Sequence, residues 1–124
     1  MSFTAILDRY ATLSRQVVTK GTSGEDVKTF NNALAQIKIA IVPVSAKIRN
    51  EYAVIDQVVT HKIITTTNLD TATSLLGGPL GGAKIGDRWN DGRNTYLVQD
   101  YYAEENFTIS REGLYVSVCQ LIRP

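Results

Sequence analysis

At 124 residues the chain is long enough for one domain that buries about two-thirds of its unfolded surface, so neither metal nor disulfide is needed for stability. Thirteen basic residues against twelve acidic leave it near neutral at pH 7, which speaks against nucleic-acid binding by bulk electrostatics. A single cysteine, Cys119, excludes an internal disulfide and any all-cysteine metal site.

The absence of a long apolar run, and of a basic start followed by an apolar segment, leads us to expect a soluble protein without membrane contact. Residues 1–62 carry eight Lys/Arg and five Asp/Glu, residues 63–124 five and seven. The asymmetry is mild, but opposite signs on opposite faces would help identical copies pack side by side.

Residues 3–18 mix two periodicities. Phe3, Ile6, Leu7, Tyr10 and Leu13 recur at helical spacing, while Ala11, Leu13 and Val17 alternate with polar neighbours. We expect a short helical turn and then a strand over about 10–19, followed by a loop from Thr19 that continues through the polar segment to Asn32. Residues 34–44 read as a strand with Ile37, Ile39 and Ile41 on one face, ended by Pro43, which has no N–H to donate. Ser45 caps a helix over about 46–56. Its stripe, Ile48, Tyr52, Ile55 and Val59, is expected to lie across an open end of the sheet.

Residues 58–67 are dense in β-branched side chains and form the next strand, with Val59, His61 and Ile63 on one face. A lone His there is a hydrogen-bonded structural residue, since no second His or Cys cluster completes a site. Residues 68–84, NLDTATSLLGGPLGGAK, form a long Gly-rich loop. It is not a phosphate cradle: from Gly77 the spacing leads to Gly82 and then Ala83, and Lys84 is followed by Ile85. We expect Leu75, Leu76 and Leu80 to be exposed on it as an arm that meets a partner, and its deletion over 76–83 to leave a folded domain.

The strongest local signal is residues 85–102, IGDRWNDGRNTYLVQDYY. Asn90, Asp91 and Gly92 tolerate the positive φ of a tight hairpin turn between an arm ending in Trp89 and a β-rich arm over 95–102. Residues 103–108 read as a connection, with Glu104 and Glu105 in solvent. Residues 111–113 read as a turn, and 114–122 as a last strand in which Leu114, Val116 and Val118 alternate with Tyr115, Ser117 and Cys119. The fold expected is mainly β: one domain, 1–124, a small antiparallel barrel or sandwich of about six strands with one or two short helices.

Chemistry has no convergent set of groups to work with. Asp87, Arg88, Asp91 and Arg93 crowd a hairpin tip as solvated charges, no G-x-S-x-G elbow occurs, and Cys119 lies in an apolar run. No enzyme activity, cofactor or metal is expected. A rival reading is a barrel binding single-stranded oligonucleotides on a platform of Tyr96, Tyr101, Tyr102 and Tyr115, although few basic residues surround them.

In this order of elements the chain resembles the head-tail joining (head closure, stopper or connector) proteins of tailed bacteriophages. The resemblance rests on IKIAIVPV running into a Ser-initiated helix that ends YAVIDQVV, on VVTHKIITTT, on IGDRWNDGRNTYLVQDYY and on the closing apolar strand, about residues 34–123. The first 33 residues are longer than that family's opening strand, and the loop 68–84 is enlarged. The resemblance implies a non-enzymatic virion protein, made in the host cytoplasm. It would form a ring of roughly six or twelve copies at the neck, close the channel after DNA packaging and dock the tail. Implied partners are further copies of the chain, a portal or adaptor protein, a tail terminator or tail tube protein, and passing DNA without sequence specificity. Subunit or channel contacts fall to Leu75, Leu76, Gly77, Gly78, Pro79, Leu80, Gly81, Gly82 and Lys84. A tail terminator or other neck protein is the alternative within this class.

Overall fold

The computed structural model describes residues 9–55, 57–105 and 113–122. Six strands, β1 (Arg9–Lys20), β2 (Asp26–Pro43), β3 (His61–Thr65), β4 (Arg88–Asn90), β5 (Thr95–Glu105) and β6 (Gly113–Ile122), and one helix, α1 (Ala46–Ala53), make a mainly β domain. Every pairing is antiparallel, and the order β1-β2-β3-β6-β5-β4 returns to β1 through Leu13 opposite Trp89, so the sheet closes into a ring. The helical turn expected near the N-terminus and the turn at 106–112 lie outside the described residues.

The interior is set by the inward half of each alternation. Leu13, Ile39, Ile63, Trp89, Val98 and Cys119 are fully buried in one cluster, with Ile37 and Ile41 packed against it. The Trp89 indole N–H donates to Ser117 Oγ at 3.2 Å, so the largest side chain of the core and the polar atom beside it satisfy each other. In β6 residues 116–119 are all buried, because both of its faces are covered. Ser117 and Cys119 face the interior, while Val118 packs outward against Val44, Val59, Ile48, Tyr52 and Tyr102.

That outer packing corrects the place expected for α1. Ser45 caps it as anticipated, accepting from the Ile48 N–H at 3.3 Å, but the helix lies on the outer wall over β6 and β5 rather than across an open end. Tyr52 anchors it by donating to Asp100 Oδ2 at 2.6 Å. The helix stops at Ala53, leaving Ile55 63% exposed, while Ile48, Tyr52 and Val59 of the expected stripe pack on the outer wall.

The hairpin at 85–102 forms as read, with Arg88 opposite Leu97 and Asn90 opposite Thr95. Gly92 takes φ 91°, and Asp91 Oδ1 accepts from the N–H groups of Arg93 and Asn94. Two spans were read too short. β5 continues to Glu105, and the polar stretch before Asn32, expected as loop, is the first third of an 18-residue β2. Val27, Thr29 and Phe30 there pair with Thr19, Val17 and Gln16 across a turn in which the Gly24 N–H donates to Gly21 C=O. β3, by contrast, is five residues rather than the ten expected.

The registers also fix which ends lie together. Taking β1 as running upward, β3 and β5 run upward and the other three strands downward. The β1–β2 ribbon, the upper parts of β5 and β6, and both ends of the 66–87 connection therefore share one flared end.

Candidate functional site

At that end β3 and β4 are too short to follow their neighbours upward, and the 66–87 connection fills the gap. It is a folded lobe with its own hydrogen bonds. Asn68 Oδ1 accepts from the N–H groups of Asp70 and Thr71, Leu80 N–H donates to Ala72 C=O, and Gly82 N–H donates to Leu69 C=O. Leu69, Leu80 and Ala83 drop into the core, at 0%, 1% and 6% exposure.

Arg15 locks this lobe. Its guanidinium meets both oxygens of Asp87, at 2.9 Å for the closest pair, and also donates to Leu80 C=O at 3.0 Å and Gly82 C=O at 2.8 Å. Asp87, itself buried, also accepts from the Lys84 N–H. A planar fork suits this task, because one cation ties a carboxylate and two otherwise orphaned carbonyls to a strand. On the other side Tyr101 donates its hydroxyl to Asp70 at 2.8 Å; burial, then this bond, push the phenol well above its ordinary range. Gly82 lies so near that a Cβ would sit 2.7 Å from the Tyr101 ring.

These contacts divide the expected contact residues. Leu80 is not exposed as an arm would require; it is core. Gly82 is buried, while Gly81 beside it is exposed and takes positive φ. Lys84 is exposed, but its N–H is bound to Asp87. Only the tip fits the expectation. Leu75 and Leu76 are 65% and 44% exposed, Gly77 and Gly78 take positive φ, and Pro79 bridges Thr73 below them. The physical reason is length: closing a sheet whose third and fourth strands are short requires a plug, and the loop supplies apolar side chains for it.

The ionisable groups do not converge. Asp87 and Asp91, read as solvated tip charges, have side chains only 4% and 3% exposed, paired with Arg15 and Arg9. Burial alone would raise the Asp91 pKa, but the N–H groups of Asn94 and Arg93, and then Arg9, bring it below the ordinary carboxylate value. His61 packs edge-on to Tyr96 and is held below its ordinary pKa by burial. Burial pushes the Cys119 thiol far up, away from nucleophilic use. Among the described residues no group of three or more His, Cys, Asp or Glu could hold a metal. A depression of about 220 Å³ beside α1, lined by Arg49, Asn50, Ala53, Gln57, Val58 and Val59, contains no acid–base pair.

The tyrosine platform does not form. Tyr96 is buried at 3% exposure, Tyr101 and Tyr115 pack on the interior cluster, and Tyr102 lies on the opposite face under the helix. The feature missed from sequence is the β1–β2 ribbon, which extends beyond the closed sheet with Val18, Val27 and Phe30 at 53%, 39% and 37% exposure. β-branched residues on both sides of Gly21 and Gly24 were its signal.

Fold and site together describe a small closed antiparallel domain with an elaborated end. No family model and no curated protein matches the chain. Among solved structures it is similar to the solution structure of protein SF1141 from Shigella flexneri 2a, with a TM-score of 0.62 at 14% identity over 97% of this chain and 96% of that one. At that identity the likeness is one of fold.

Proposed function

We propose that the protein is a non-enzymatic assembly subunit, and specifically a virion protein that forms a ring at the head-tail interface of a tailed phage. It would close the channel after packaging and present a docking surface to the tail. The specific reading rests on the sequence resemblance to head-tail joining proteins. The observation that carries the general one is the flared end. A ribbon with apolar side chains on both faces leaves the closed sheet there, beside a loop tip bearing Leu75 and Leu76. Two strands alone are marginal in water, and paired apolar faces are a surface to be covered. The interior, in contrast, is filled by side chains among the described residues.

Near neutrality fits a channel part, because a strongly basic lining would hold passing DNA. The scattered tyrosines weigh against the oligonucleotide-binding reading. Electron micrographs of the purified chain, alone and mixed with a portal, should show rings. A chain that stays solitary with every neck component, or whose gene lies far from packaging and tail genes, would sink the reading.

A further inference from the structure

The ring reading leaves open which surfaces meet. Two backbone edges at the flared end have no strand partner among the described residues. β3 pairs with β2 only over residues 40–43, and the loop reaches β2 where the Leu75 N–H donates to Ala33 C=O, so among the described residues β2 has no neighbour beyond β1 over 26–32. β4 pairs with β5 only over 95–97, and the connection extends this to Val98, so among the described residues β5 has no backbone ladder beyond β6 over 100–105. The Tyr101 N–H donates to the Asp100 carboxylate at 2.8 Å.

We propose that the β2 edge over 26–32 of one copy adds to the β5 edge over 100–105 of the next, joining copies through a continuous sheet. This rests on the ring reading and names its contact. Three observations select a second copy as the partner. First, β2 and β5 lie three places apart in the closed order of six strands, on opposite sides of the domain. A contact between them is heterologous and propagates from copy to copy, as a ring requires. Second, β2 runs downward and β5 upward. Copies standing side by side with the same end up therefore bring these edges together antiparallel, the orientation that hairpin-type ladders use. Third, the charges are complementary. Lys20 is neutralised by Asp26, and Lys28 in the β2 edge has no ion-pair partner among the described residues, while the β5 edge carries Glu104 and Glu105 in sequence. The added strand would also cover Val27 and Phe30.

The test uses the full chain. Thr29→Cys and Ala103→Cys variants, both at exposed positions, are mixed under a mild oxidant; the native Cys119 is fully buried and does not compete. The expected product is a disulfide-linked pair of twice 13.7 kDa that forms only in the mixture. Sedimentation should show that Lys28→Glu weakens self-association about fivefold, and that adding Glu104→Lys, at the position opposite Lys28 when Thr29 faces Ala103, restores it. Linkage of Thr29→Cys to itself would indicate two-fold ribbon pairing and overturn the proposal. So would self-association unaffected by Lys28→Glu, or a chain that is monomeric at every concentration. If a Leu75→Cys variant cross-links to itself while the Thr29/Ala103 mixture does not, the edge contact is wrong and the ring reading survives.

Discussion

The side chains of the Gly-rich loop show how much one position can differ from its neighbour. Leu75 and Leu80 look alike in the sequence, but one is 65% exposed and the other 1%. Leu80→Ala should cost about 2–5 kcal/mol in chemical denaturation, and Leu75→Ala within about 0.5 kcal/mol. Equal costs would mean that the lobe is not seated in the core. Gly77 and Gly82 make a second contrast. Both have positive φ, but a Cβ at Gly77 meets nothing within 4 Å, whereas at Gly82 it would strike the Tyr101 ring. Gly77→Ala should carry only the backbone strain, about 1–2 kcal/mol, and Gly82→Ala measurably more. Neither distinction is visible in the run SLLGGPLGGAK, because burial depends on what lies opposite in space.

Among the elements, the Gly-rich connection and the ribbon exchange the roles that composition suggests. Two Gly-Gly pairs and a proline imply a free arm; the polar run before Asn32 implies a loop. The structure makes the first a plug and the second a strand. Deleting 76–83 would therefore remove Leu80 and Gly82 along with their bonds to Arg15, and should unfold the domain rather than leave it intact. Asp87→Ala leaves the buried side of Arg15 unpaired, and a loss of about 3–5 kcal/mol is expected. Replacing Leu75 and Leu76 with Ser, by contrast, should keep the midpoint of thermal unfolding within a few degrees of its original value. Circular dichroism on these variants separates the plug from the tip. The Asn90-Asp91-Gly92 turn and the Ser45 cap were readable in advance because both act through atoms a few residues away.

For the whole molecule, the pH response follows from the buried groups. His61 has its pKa lowered in the folded state, so below about pH 6.5 the unfolded chain binds the proton more readily. Stability should be full above that value and fall as pH drops toward the folded pKa, and His61→Gln should flatten this slope below about pH 6.5. Asp91, lowered from 3.8, acts in a separate window: its contribution is present above that value and lost as acid titrates it. Urea midpoints at a series of pH values check both. If His61→Gln left the slope unchanged, the imidazole would titrate alike in the folded and unfolded chains.

What the sequence by itself determined is local: mainly β class, the hairpin turn, the helix cap and strands with an apolar face. Each follows from a residue's own φ range, periodicity or neighbours within a few positions. Only the tertiary structure decided that the sheet closes through Leu13 and Trp89, that Arg15 and Asp87, 72 positions apart, clamp a plug, and that two strand edges without a partner among the described residues run antiparallel on opposite sides of one end. Those arise from strand lengths and registers across the whole chain, and a short β3 or a long β2 acquires its meaning only when its neighbours stop or continue beside it.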